Sequence, residues 1–169
     1  MKKLLFVASL ALISAFGFAQ NNPKPSPATE VKAKLENGAE ISIKYGQPSL
    51  KGRTPGKDVE PMLNKIWRAG ANDATVFETS KDLKINGNTL PAGKYALFLL
   101  QKESGATVIF NKIWKQWGAF QYKEAEDALR VEAKLATNSE SAEKLIYSIS
   151  GNGMVQILWG NLNFGFTVE

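Results

Sequence analysis

Neither cysteine nor histidine occurs anywhere in the 169 residues. Without histidine the chain lacks the commonest general base near neutral pH and the commonest metal ligand. Without cysteine it cannot form a zinc site of the usual nitrogen and sulfur type, a thiol nucleophile or a disulfide. A Ser-His-acid triad is excluded, as is lipid attachment through a lipobox cysteine. No metal, cofactor or catalytic residue is assigned, and stability must come from burying apolar side chains, which a chain of this length can do. A strong excess of one charge is also missing. Basic residues number 21 against 16 acidic, a formal net charge of +5, and the two signs alternate, as in Lys32, Lys34, Glu36 and Lys123, Glu124, Glu126. A nucleic-acid footprint would gather its cations on one face, so nucleic acid is discounted as a partner.

Long apolar runs are scarce too, and the one present lies at the start. Met1-Lys2-Lys3 is a basic leader, residues 4–16 are almost uninterruptedly apolar, and Gly17-Phe18-Ala19 places small residues where a signal peptidase inspects them. The run is short for a membrane span of about 20 residues, and Pro23, Pro25 and Pro27 follow at once. Residues 1–19 are therefore expected to be a signal peptide cleaved after Ala19, which implies a periplasmic or secreted protein with no membrane span left. Residues 20–29 read as a flexible, proline-rich leader. Residues 30–169 read as a single domain, with order expected from about Glu30.

Within that domain the dominant period is two. Val31, Ala33 and Leu35 alternate with charged residues, Asn37-Gly38 is a hairpin turn signal, and Ile41, Ile43 and Tyr45 alternate on the way back. The pattern lapses from Gly46 to Lys65, where prolines and glycines punctuate a long excursion and Pro61 could open a short helix. Strand patterns return at 75–79, 83–85, 95–100, 107–111, 129–135, 145–149, 155–159 and 164–168. Residues 112–125 form a second irregular stretch, with room for one turn of helix. About nine short strands, at most one or two short helices and connections too short for crossovers predict an all-β, largely antiparallel β-sandwich, jelly-roll-like in character.

Between two strand patterns stands Trp67-Arg68-Ala69-Gly70-Ala71-Asn72-Asp73-Ala74-Thr75. By this run the chain resembles a family of secreted bacterial proteins known only as a domain of unknown function, number twenty-nine-eleven. The likeness extends from about Ile41 to the end. It is carried further by Tyr45-Gly46-Gln47-Pro48 with Lys51-Gly52-Arg53, by Leu90-Pro91-Ala92-Gly93-Lys94-Tyr95-Ala96-Leu97-Phe98, by Val108-Ile109-Phe110-Asn111-Lys112 and by Gln116-Trp117-Gly118-Ala119-Phe120. The chain departs from the family pattern at residues 54–62, where many members carry a Phe-Gly-Gly run before Val-Pro-Tyr. The resemblance implies no established activity.

Two readings of the polar and aromatic groups stay open at this level. Arg68 offers planar, paired donors to a carboxylate or phosphate beside a Trp67 wall; alternatively Trp67 is core and Arg68 pairs with Asp73 or a neighbouring carboxylate across a turn. Asn72 can cap that turn or donate to a ligand. Trp114, Trp117, Phe120 and Tyr122 can stack on flat ligands or plug the open end of a sandwich. The binding reading assigns Arg53, Trp67, Arg68, Asn72, Asn111 and Trp117 to a ligand site for a small molecule, a glycan or an envelope protein. It expects residues 46–75 and 111–122 to meet around a concave surface. A carboxylate-dependent hydrolase or lyase would need two of Glu60, Asp73, Glu78 and Asp127 to converge with Arg68. An envelope structural or assembly component is the third class. Ser141-Ala142-Glu143-Lys144 has the Ser-x-x-Lys spacing of penicillin-recognising enzymes but lacks its companion motifs.

Overall fold

The computed structural model describes residues 26–169. The expected signal peptide and most of the expected proline-rich leader lie outside those residues. The first strand begins at Ala28, two residues before Glu30. The Gln47 amide donates to the Pro27 carbonyl at 2.8 Å, and strand β1 occupies Ala28–Lys34. It pairs antiparallel with β2 (Glu40–Gly46) through the Asn37-Gly38 turn, with Val31 opposite Ile43.

The next strands are β3 (Ile66–Trp67), β4 (Thr75–Thr79), the small hairpin β5 (Leu83–Ile85) and β6 (Asn88–Leu90), then β7 (Gly93–Lys102) and β8 (Gly105–Asn111). Two long strands close the chain: β9 (Asp127–Ile149) and β10 (Met154–Thr167). One eight-stranded antiparallel sheet runs β1-β2-β4-β7-β8-β9-β10, with β3 beside β7, while β5 and β6 pair with each other. Strand β8 is buried along its whole length, as the continuous apolar pattern of a central strand requires.

The fold is all-β and sandwich-like, as the period-two pattern predicts, but its last third is built differently. The four short strands expected after residue 128 are two long ones. Strand β9 pairs with β8 up to Ala133 and with β10 beyond it, so the sheet rolls over on itself into a curled half-barrel. Register shifts around Gly160, which has φ +59° and lies against Pro55 and Leu50, let the exposed middle of β9 bulge while pairing continues. No α-helix occurs among the described residues. Pro61 leads into a turn closed by the Lys65 amide on the Met62 carbonyl, and the second irregular stretch contains one 3-10 turn at Glu124–Glu126.

The inside of the roll holds the main core, with Phe77, Phe110, Trp159 and Phe164 essentially without solvent contact. Phe77 and Phe166 both meet the Phe110 ring edge-on, at 5.1 and 6.0 Å. A second, smaller core lies on the outside of the central strands. There Ala74, Ala96, Phe98 and Ile109 are covered by Ala119 and Tyr122 from residues 112–123. That irregular stretch is thus a flap laid over the sheet.

Candidate functional site

Strands β3 and β4 run along the same edge of β7. Trp67 stands opposite Leu99 and Thr75 opposite Leu97. Eight residues of one chain therefore separate what two residues of β7 separate on the other side. Residues 68–74 leave the sheet as a closed loop, and the Thr75 amide donating to the Arg68 carbonyl at 3.1 Å shuts its base. Such a loop needs left-handed backbone. Ala69 and Asn72 supply it, with φ +53° and +65°.

The loop is held from within by side chains of the core. Trp67, buried, donates its indole Nε1–H to the Gly70 carbonyl at 3.2 Å. The Ala69 carbonyl accepts from both the Thr75 hydroxyl (2.9 Å) and the Tyr147 hydroxyl (2.6 Å). Tyr147 comes from β9 and packs on Tyr45 with ring centroids 4.6 Å apart. Its burial pushes the phenol pKa far above the ordinary range, the neighbouring Tyr45 adds to this, and the Thr75 hydrogen bond only partly opposes it. The Ala71 amide donates to the Gly46 carbonyl at 3.1 Å, so β2 closes the loop from the side. Trp67 is a structural staple.

From outside, the flap forms a short antiparallel ladder with the loop. Asp73 bridges Trp117, the Ala74 amide donates to the Gln116 carbonyl (3.0 Å), and the Gly118 amide donates to the Asn72 carbonyl (3.1 Å). The two irregular stretches therefore meet. Asn111, wholly buried, pins the base of the flap. Its Nδ2 donates to the Lys123 carbonyl and to Asp127 Oδ1, at 3.0 and 2.8 Å, and its Oδ1 accepts from the Ile113 amide at 3.0 Å. With every polar atom engaged internally, it positions the flap and does not face a ligand. Tyr122 completes the anchor, donating to Asp127 Oδ2 at 2.8 Å and meeting Phe98 edge-on at 5.1 Å.

The other aromatics of the flap do not plug the sandwich. Trp117 is 59 % exposed, Phe120 85 % and Trp114 40 %, and the Lys94 ammonium stands 5.4 Å from the Trp114 ring centre. Beside Trp117 an open groove of about 770 Å³ runs over the outer face of β1, β2 and β4. Asn72, Asp73 and Trp117 form one wall; Glu30, Lys44 and Val76 lie in its floor. Floor and neighbouring charges neutralise one another: Glu30 with Lys32 (3.2 Å) and Lys44 (3.5 Å), and Glu78 with Lys94 (3.3 Å). Asn72 Nδ2 also donates to the Ser26 carbonyl at 3.2 Å, tying the first described residue to the groove rim.

Of the six residues assigned from sequence, Asn72 and Trp117 share the groove. Arg68 lies beside Gly118, outside the groove lining and without an ion pair among the described residues. Arg53 is elsewhere, its guanidinium donating to the Leu50 and Ser49 carbonyls at 2.8 Å each on a turn that bonds to β9. Glu30 and Lys44 in the groove floor were missed by sequence reasoning, because alternating charges on a hairpin read as a solvated face. Their cross-strand register through the Asn37-Gly38 turn was the available signal.

The carboxylates of the hydrolase reading have separate partners. Glu60 accepts from the Met62 amide, Glu78 pairs with Lys94, Asp127 serves Asn111 and Tyr122, and Asp73 faces the groove. None of them pairs with Arg68. Ser141 and Lys144 are both exposed on the bulged middle of β9, with no helix to hold them together. Among curated proteins and among solved structures nothing matches the chain. A family model does match it over residues 26–168, from the first described residue to the end of β10, and the chain belongs to the family described as "Protein of unknown function (DUF2911)".

Proposed function

We propose that this protein is a non-catalytic binding module that takes a glycan in the groove beside Trp117, working in the periplasm or outside the cell after cleavage at Ala19. The observation that carries this reading is Trp117 itself. A tryptophan 59 % exposed on a loop otherwise pinned on both sides is an indole face held out to solvent. Sugar rings present an apolar C–H face that stacks on such a surface and a hydroxyl rim that needs hydrogen-bonding groups around it. The Asn72 side-chain amide and the Asp73 carboxylate stand in the same wall, and the paired Lys44 and Glu30 offer donors and an acceptor in the floor. With Glu30 offset by Lys44 and Asp73 without an ion pair among the described residues, the groove suits a polar ligand that carries no net negative charge. Its volume of about 770 Å³ lies within the roughly 300–1,000 Å³ of small-ligand sites.

Tryptophan fluorescence and calorimetry with soluble oligosaccharides and cell-wall fragments test this. A bound sugar is expected to shift the emission of the wild type, and Trp117→Ala is expected to weaken binding at least about tenfold with little change in thermal midpoint. A panel that shifts nothing, or Trp117→Ala binding as the wild type does, removes the reading.

A further inference from the structure

Arg68 serves the loop through its backbone and not through its side chain. Its carbonyl closes the loop base, yet its guanidinium makes no hydrogen bond and no ion pair among the described residues, and its Nε is buried with no partner. Residues 1–25 contain neither aspartate nor glutamate, so no carboxylate side chain of this protein reaches it. A half-buried cation left in this state is costly, and the loop does not need it, being fixed by Trp67, Thr75, Tyr147, Gly46 and the flap. Arg68 is also not among the residues lining the groove.

What stands beside Arg68 is Gly118, with φ +63°. A Cβ built there would lie 4.0 Å from Arg68 Nη1 and 3.0 Å from the Phe120 ring. The guanidinium and the most exposed aromatic among the described residues thus meet at Gly118. We propose that this corner of the surface is an oxyanion subsite for an organic acid. The carboxylate seats on the outer edge of the Arg68 guanidinium, which matches its two oxygens with paired donors. The flat or apolar body of the same ligand lies against the exposed Phe120 ring, which the absence of a Cβ at Gly118 lets pack close to the guanidinium. The subsite stands independently of the glycan groove.

Benzoate is the probe, with benzamide as its neutral isostere and acetate and inorganic phosphate as ring-free anions. Benzoate raises the thermal midpoint of the wild type with concentration, as ligand linkage requires, while benzamide does not, and acetate and phosphate act more weakly. Arg68→Met loses the benzoate response at least tenfold while its own midpoint stays level or rises, since an uncompensated charge has been removed. Phe120→Ala, at a position 85 % exposed, folds as the wild type and weakens benzoate severalfold. Trp117→Ala leaves the benzoate response intact, which separates this subsite from the groove. Equal responses to benzoate and benzamide, an undiminished response in Arg68→Met or in Phe120→Ala, or phosphate outperforming benzoate each overturn the proposal. So does a midpoint lowered by more than about 5 °C in Arg68→Met with benzoate inert on the wild type, which makes Arg68 a structural residue.

Discussion

At the level of single residues, the loop at 68–74 depends on two glycines and one twice-bonded carbonyl. A Cβ at Gly46 would collide with the Ala71 backbone, and one at Gly70 would stand 2.7 Å from the Thr75 hydroxyl. Gly46→Ala is therefore expected to cost about 1–3 kcal/mol through forced overpacking, read as a lower urea midpoint. The Ala69 carbonyl is the more informative test. Tyr147→Phe and Thr75→Val each remove one of its two donors and leave the other, so each alone should cost about 1 kcal/mol. Together they strand a buried acceptor. The double variant should lose about 1–2 kcal/mol more than the sum of the singles. Strict additivity in the cycle would mean that the two hydroxyls do not share that carbonyl.

Among the elements, the flap at 112–123 carries the exposed aromatics, and its rigidity comes from Asn111. Replacing Asn111 by alanine strips the Lys123 carbonyl, Asp127 and the Ile113 amide of a partner at once. A loss of about 2–3 kcal/mol is expected, with amide exchange accelerated in residues 112–123 and unchanged in β7 and β8. Exchange rising evenly across the sheet would place Asn111 in the core and not at a hinge. How far such features could be read from sequence follows from where the apolar period survives. The Asn37-Gly38 hairpin and the central strands were legible because alternating burial or a continuous apolar run marks them. The meeting of the two irregular stretches was legible too, since both interrupt the sheet near strand ends. The long β9 was not, because its middle, from Thr137 to Glu143, is polar, mostly exposed and bulged, so no period spans it. Nor could sequence show that β3 and β4 are one strand split by a loop, because that fact lives in their shared register with β7. Trp67 and Trp117 look alike in sequence. Only the fold separates the staple from the exposed face.

For the whole molecule, the absence of histidine and cysteine leaves no side chain whose ordinary pKa falls between about 5 and 8. Stability should be nearly flat from about pH 6 to 9, and the next groups to matter are the tyrosines. All four have raised phenol pKa values. Burial is the leading cause in each, joined by Asp82 at Tyr95, by the Asp127 hydrogen bond at Tyr122 and by Tyr45 at Tyr147. A phenol whose native pKa lies above its unfolded value stays protonated in the fold while the unfolded chain already ionises. The unfolded state then binds fewer protons, so stability is full below about pH 10 and falls as pH climbs past it. Tyr147 should dominate, being wholly buried with its hydroxyl committed to the Ala69 carbonyl. Urea unfolding followed between pH 7 and 11.5 checks this. The wild type should lose stability steeply above pH 10. Tyr147→Phe, although less stable at neutral pH, should show a slope shallower by one proton, about 1.4 kcal/mol per pH unit. Parallel slopes in the two proteins would mean that the alkaline transition belongs to lysine deprotonation and that the clamp on the loop plays no part in it.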